Sequence, residues 1–193
     1  MPSPTDIIAL IKKFLSDNYS KIGQLYMQRG GWERWLQCEI GLYCTQFFTE
    51  VAVFRELQVY EKASKRLADI VFQQTGQETQ VIELKCEYLS QDGSTQGVLA
   101  FWNSYVTDMV KVNKVYTQPQ FRPARLWAMG ITCEDQCSIE GSTYPMGSLF
   151  RDNLEWEEIR PPLGVTGPSI YLWHISFLET ALGSKIGPLH PHS

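Results

Sequence analysis

Residues 66–88, RLADIVFQQTGQETQVIELKCEY, decide the fold that this sequence predicts. Two apolar runs rich in β-favouring residues flank the polar segment QQTGQET, which is typical of a β-hairpin. Because alternate side chains of a strand point to the same side, Glu83 and Lys85 share one face of VIELK. If the two strands pair, Asp69 lies next to Glu83. The hairpin then holds two carboxylates and one ammonium in a single cluster.

Two carboxylates and one lysine are the smallest set of side chains that can hold a divalent cation and a water molecule against a phosphodiester. Mg²⁺ binds proteins through one or two carboxylates, together with waters and substrate phosphates. A neighbouring lysine can orient the attacking water or offset developing negative charge. The hairpin residues therefore favour phosphodiester chemistry assisted by Mg²⁺.

The composition fits one domain over residues 1–193, because 44% hydrophobic residues are ample for a sizeable core. The formal net charge of −4 argues against a nucleic-acid binder, since phosphate contacts usually require a basic surface. The start of the chain lacks the pattern of a signal peptide, and no stretch approaches the roughly 20 apolar residues of a membrane span. We therefore expect a cytoplasmic protein with no membrane association.

Periodicity along the chain predicts a mixed central β-sheet flanked by helices, since helices and strands alternate. Helices are predicted over residues 5–28, from Trp32 through WERWLQCEIGLYCTQFF, and over 96–113. Strands are predicted over 50–60, in both halves of the hairpin, over 124–133, near LEWEEI and over 169–177. The last dozen residues are expected to form a loose tail.

The second predicted helix carries an acid on its apolar face. A period of 3.6 residues places Glu39 within the aromatic and aliphatic stripe, whereas Glu33 and Gln37 fall toward the other side. Burying an unpaired carboxylate is costly, so Glu39 needs an arginine, a hydrogen-bond network or a metal as its partner. Glu56, on the predicted strand 50–60, also shares a face with apolar neighbours.

Together these features resemble the restriction-endonuclease-like superfamily, the PD-(D/E)XK nucleases. The residues that carry the resemblance are Glu39 in the helix WERWLQCEI, Asp69 in RLADIVF, Glu83 and Lys85 in VIELK, and Asp108 and Lys111 in the next helix. The match implies a restriction-endonuclease-like core over about residues 31–133 and a strand-rich C-terminal extension over 134–193. Ala68 stands where the name of the superfamily has its proline.

The resemblance also implies roles for individual residues. Asp69, Glu83 and the backbone carbonyl of Leu84 would be the metal ligands. Lys85 would position the hydrolytic water, and Glu39 would bind a second metal directly or through water. The implied cofactor is Mg²⁺, for which Mn²⁺ can substitute. The implied activity is hydrolysis of phosphodiester bonds, in DNA more than in RNA, although the fold alone does not name a substrate.

Further candidates carry weaker signals. Glu56 is a candidate site acid, with a purely structural role as its alternative. Candidate nucleic-acid contacts are Lys62, Lys65, Arg66 and Lys111. The first three also fit a solvated connector, and Lys111 fits a surface ion pair with Asp108 at a spacing of three residues.

Two functions of other classes remain open. The acidic net charge favours a catalytically inactive nuclease-like binding module, and it also fits an acidic immunity protein that covers a basic partner. No recognition module is appended to the predicted core. Targeting to nucleic acid would therefore need the C-terminal third, a homodimer or a protein partner.

Overall fold

The computed structural model describes residues 4–27, 32–48, 50–61, 66–87, 96–133 and 152–189. Within these residues, no helix combines the length and the apolar character that crossing a membrane requires.

Four α-helices and one short 3-10 helix form in the described chain. They are α1 (Pro4–Asp17), α2 (Tyr19–Tyr26), α3 (Glu33–Phe47), α4 (Gln96–Lys114) and the 3-10 turn Pro119–Phe121. The single helix predicted over 5–28 is therefore wrong, because the chain breaks at Asn18. The Asn18 backbone departs from helical geometry, and its side-chain amide donates to the Phe14 carbonyl at 2.9 Å.

Seven strands form one mixed sheet, which confirms the predicted mixed α/β class. They are β1 (Ala52–Leu57), β2 (Ala68–Gln73), β3 (Thr79–Cys86), β4 (Ala124–Thr132), β5 (Glu155–Ile159), β6 (Ile170–Glu179) and β7 (Lys185–Leu189). The order is β1-β2-β3-β4-β6-β5, and β7 also pairs with β6. Among the described strands, only β3 and β4 run parallel, with α4 in the connection between them.

The C-terminal region belongs to the same sheet as the rest of the chain. Strand β6 pairs with β4 from Ala124↔Glu179 to Thr132↔Tyr171. The prediction of a loose tail is wrong for β7, which pairs with β6 through Glu179↔Lys185. The sequence KIGPL contains a glycine and a proline and lacks alternation of apolar and polar residues, so it carries no strand signal. Residues 190–193 lie outside the described part of the chain.

The two faces of the sheet are covered by different helices. Ile70, Ile82 and Leu84 point into the core beneath α1, α2 and α3. Val71 and Val81 point into the core beneath α4. Strand alternation therefore directs the odd-numbered residues of β2 and β3 toward α4.

Helix α4 lies close to β4 because Gly130 has no side chain. A Cβ atom at Gly130 would lie 2.9 Å from Phe101 Cζ and 3.3 Å from a ring carbon of Tyr105. The Tyr105 hydroxyl donates to the Ala128 carbonyl at 3.1 Å. This close approach brings the polar residues of α4 within reach of β3.

Candidate functional site

Two carboxylates face each other across the hairpin of β2 and β3. The antiparallel register Ile70↔Ile82 places Asp69, one residue earlier on β2, opposite Glu83, one residue later on β3. Asp69 Oδ2 accepts a hydrogen bond from the Leu84 backbone N–H at 2.7 Å. Burial raises the pKa of Asp69, although the Leu84 bond opposes that rise. The structure thus brings these two acids together as the hairpin predicts.

Glu83 is buried and bound on both sides. Its side chain is 3% exposed, and Lys111 Nζ lies 2.5 Å from Oε2. The hydroxyl of Tyr60 donates to Oε1. Burial raises the pKa of Glu83 to about 7, while the positive charge of Lys111 opposes the rise. Lys111 also donates to the Leu67 carbonyl at 3.2 Å, which fixes the ammonium beside the carboxylate.

Lys85 lies between acids from helices on opposite faces of the sheet. Its Nζ is 3.2 Å from Glu33 Oε1 on α3 and 3.8 Å from Asp108 Oδ2 on α4. Burial disfavours the charged form of Lys85, but the negative charges of Glu33 and Asp108 outweigh it, so the pKa of Lys85 is raised. The side chain remains 26% exposed. Lys85 is therefore held in its charged form on the side of the cluster that solvent reaches.

The acid of α3 that reaches the sheet is Glu33. Besides its ion pair with Lys85, it accepts a hydrogen bond from the Cys86 backbone N–H at 3.2 Å. The expectation that Glu39 points inward is wrong. Glu39 is 37% exposed, and its Oε1 lies 3.8 Å from Lys21 Nζ. The structure therefore does not bring Glu39 to the cluster.

Helix α3 has two buried sides, which explains why Glu39 does not reach the cluster. One side packs on α1, where the ring of Tyr43 lies 5.2 Å from that of Phe14. The other side packs on the sheet, where Gly41 lies beside Val53. The apolar stripe in the sequence follows mainly the first side. Glu33 lies two turns before Gly41, on the side that faces the sheet.

Asp108 and Lys111 are part of the cluster, so their interpretation as a surface pair is wrong. Their side chains are 17% and 10% exposed. Burial raises the pKa of Asp108 to about 6, and the charges of Lys85 and Lys111 oppose that rise. Lys111, a candidate contact for nucleic acid, instead directs its ammonium at Glu83.

The remaining candidates lie at the edge of the cluster or outside the described residues. Glu56 is exposed, and the pairs Arg55↔Ile70 and Leu57↔Ala68 place it in register with Asp69. Its φ of 49° is in the left-handed region that non-glycine residues rarely adopt. Arg66 is exposed just before β2. Lys62 and Lys65 lie outside the described residues.

Comparisons with family models, with curated proteins and with solved structures found no match. The resemblance to PD-(D/E)XK nucleases therefore rests on the residues of this chain.

The cluster contains more acids than bases. Its carboxylates are Glu33, Asp69, Glu83 and Asp108, and its ammonium groups are Lys85 and Lys111. Four formal negative charges against two positive charges leave an excess of two. This excess equals the charge of one divalent cation, and oxygen ligands are those that Mg²⁺ prefers.

A Mg²⁺ ion at this cluster would have few protein ligands and would keep positions for water and phosphate. Within the described ranges, no group of three or more His, Cys, Asp or Glu side chains is arranged to hold a metal ion. Mg²⁺ needs only one or two protein carboxylates when waters and phosphates complete its shell. Asp69 offers one such carboxylate, because its Oδ1 accepts no hydrogen bond from the described part of the chain. Both oxygens of Glu83 contact Lys111 and Tyr60, so Glu83 would bind a cation only by exchanging one of these contacts.

Two residues of the cluster were missed from the sequence. The position of Glu33 in the first turn of α3 could have marked it as a functional acid. The helix dipole favours an acid there, and its side chain points back toward the preceding loop. Tyr60 carried no signal for a polar role, because it is the last residue of the predicted strand 50–60, whereas β1 ends at Leu57.

Proposed function

We propose that this chain is a metal-dependent nuclease that hydrolyses phosphodiester bonds, in DNA more than in RNA. The observation that carries the proposal is the partly buried cluster of four carboxylates and two lysines around Asp69, Glu83 and Lys85, with its formal excess of two negative charges. A bound divalent cation would balance that excess. The succession of α3, the hairpin and α4 around this cluster supports the resemblance to PD-(D/E)XK nucleases.

Each residue of the cluster would have a separate role in catalysis. Asp69 and Glu83 would hold Mg²⁺, which when bound lowers the pKa of a coordinated water and stabilises the leaving oxygen. Lys85 would donate a hydrogen bond to the attacking water or to a phosphate oxygen. Glu33 and Asp108 hold the Lys85 ammonium in its charged form and fix its position.

A cleavage panel tests the proposal. Wild-type protein is incubated with supercoiled plasmid, single-stranded DNA and RNA, each with Mg²⁺, with Mn²⁺ and with EDTA. We expect cleavage with either metal and none with EDTA. Asp69→Asn and Lys85→Met should abolish cleavage, whereas Glu39→Gln should retain it, because Glu39 lies beside Lys21. Intact nucleic acid in every arm, with natively folded protein, would refute the activity.

A second candidate function is a catalytically inactive binding module of the same fold. The observation that favours it is that Lys111 and Tyr60 already occupy both oxygens of Glu83, so this carboxylate is neutralised without a metal. Titration calorimetry with Mg²⁺ and Mn²⁺ separates the two candidates. A nuclease should take up metal in a manner that Glu83→Gln removes, whereas an inactive module should show no such uptake.

A further inference from the structure

We propose that Arg55 binds a phosphate group of the nucleic-acid substrate beside the cluster, and that Gln37 holds its guanidinium ready for that contact. The inference rests on the proposed nuclease function. Arg55 lies on β1, the edge strand of the sheet, and its side chain is exposed. Its Nη2 lies 3.2 Å from Gln37 Oε1 and 3.5 Å from the Arg34 carbonyl oxygen.

Gln37 is a buried polar residue whose side-chain oxygen accepts a hydrogen bond from this arginine. The residue is 3% exposed and lies on the side of α3 that faces the sheet. A buried amide oxygen requires a hydrogen-bond donor, and Arg55 provides it. Because the guanidinium is planar and rigid, one fixed end orients the whole group. Arg55 therefore loses less conformational freedom on binding a ligand than an unrestrained surface arginine does.

Within the described residues, the donors of Arg55 that face away from Gln37 are available to bind an anion. Both contacts use Nη2, and Nε and Nη1 have no partner in the described ranges of the chain. A guanidinium has five N–H donors in a fork that matches two oxygens of one phosphate. The exposed edge of the fork thus has the geometry for a bidentate phosphate contact.

Helix α3 places this arginine next to the candidate active site. Glu33 holds Lys85, and Gln37, one helical turn later, holds Arg55. The register pairs Arg55 with Ile70 and Ile70 with Ile82, so Arg55 is two strands and three residues from Lys85, on the order of 14 Å between their backbones. Ile70 and Ile82 face α3, so Arg55 approaches the cluster from the α3 face of the sheet. Arg34 is exposed on the same turn of the helix. Arg34 and Arg55 therefore place two guanidinium groups on neighbouring parts of α3 and β1, even though the whole chain is acidic.

Binding measurements without cleavage test the role of Arg55. The probe is a short fluorescein-labelled DNA duplex, titrated in EDTA and followed by anisotropy at several salt concentrations. Arg55→Ala should weaken binding about 10-fold, as expected for a lost charge-assisted contact. It should also reduce the slope of log K against log salt by about 1. Arg160→Ala is the matched control, because Arg160 is 80% exposed at the far edge of the sheet and its loss changes the net charge equally.

Gln37→Leu tests whether the hydrogen bond positions the arginine. In the wild-type background it should lower affinity, and in the Arg55→Ala background it should have no further effect, since the two residues then act as one unit. Equal effects in both backgrounds would show that Gln37 only stabilises the fold. Urea unfolding of each variant separates loss of folded protein from loss of binding.

The outcomes distinguish this inference from the nuclease proposal. If Arg55→Ala and Arg160→Ala bind alike, or if wild type binds no duplex, single strand or RNA, the phosphate contact is refuted. If Arg55→Ala alone weakens binding while no substrate is cleaved with Mg²⁺ or Mn²⁺, the phosphate contact stands and catalysis is refuted.

Discussion

Lys85 Nζ lies 3.2 Å from Glu33 Oε1, and this contact joins the end of β3 to the first turn of α3. The second acid near the same ammonium, Asp108, comes from α4 on the other face of the sheet. The lysine therefore occupies the point where the two helical layers meet. Its position depends on both layers, and so does any chemistry that it performs.

Removing the Glu33 carboxylate should impair the site, whereas removing the carboxylate of Glu39 on the same helix should not. Glu33→Gln leaves Lys85 with Asp108 alone, so the ammonium loses its nearer anchor. We expect cleavage to fall about 10- to 100-fold, the usual effect of losing a supporting residue in a metal site. Initial rates on plasmid DNA measure this. Equal activity of Glu33→Gln and Glu39→Gln would contradict the assignment.

Removing Lys111 should destabilise the fold. Lys111→Met leaves Glu83, which is 3% exposed, with the Tyr60 hydroxyl as its remaining donor. Loss of one partner of a buried ion pair costs about 3 to 5 kcal/mol of unfolding free energy. Urea denaturation at neutral pH measures that loss. The double variant Lys111→Met with Glu83→Gln should recover most of it, and a double variant as unstable as the single one would argue against the ion pair.

The buried acids should make the protein less stable as the pH rises. The pKa of Glu83 is raised from 4.5 to about 7, and that of Asp108 from 3.8 to about 6. Between the unfolded and folded pKa values, the folded state binds more protons than the unfolded state. Stability from these groups is therefore full below the unfolded pKa and is lost as the pH rises through the folded one.

Urea unfolding in EDTA across this range measures the effect. The free energy of unfolding of wild type should fall as the pH rises toward about 7, and the fall should be smaller in Glu83→Gln, which has no titrating group at that position. A profile of Glu83→Gln parallel to that of wild type would show that Glu83 does not titrate in this window.

Two glycine-to-alanine substitutions should have opposite effects on the stability of the fold. Gly130→Ala places a methyl group against Phe101 and Tyr105, and overpacking of this kind costs about 1 to 3 kcal/mol. Gly23→Ala adds a methyl group at an exposed position of α2 with nothing within 4 Å. It should stabilise the protein by about 0.5 to 1 kcal/mol through helix propensity. Thermal or urea unfolding of both variants checks the pair.

The sequence predicted the hairpin at the centre of the cluster, because strand alternation and a short polar turn are local properties. The pairing of Asp69 with Glu83 required only the hairpin. The predicted helix over 96–113 and the strands over 124–133 and 169–177 match α4, β4 and β6 to within two residues at each end. Each of these elements has a strong apolar pattern of its own.

The errors concern properties that depend on packing. Periodicity shows that α3 is amphipathic but cannot tell which of its two buried sides meets the sheet, so it points to Glu39 rather than Glu33. Asp108 and Lys111 have the spacing of a surface pair, and only the close approach of α4 to β3 buries them. Strand β7 forms because the edge of β6 accepts it, and its own sequence gives no indication.

We expect strand β6 to determine when the cluster is completed during synthesis. It covers the free edge of β4 and supplies Trp173, whose ring lies 5.3 Å from that of Trp102 on α4. Helix α4 carries Asp108 and Lys111. A nascent chain that ends before Ile170 therefore has the hairpin but lacks part of the surface that holds this helix in place. We expect the assembled site to appear only once the C-terminal strands have left the ribosome.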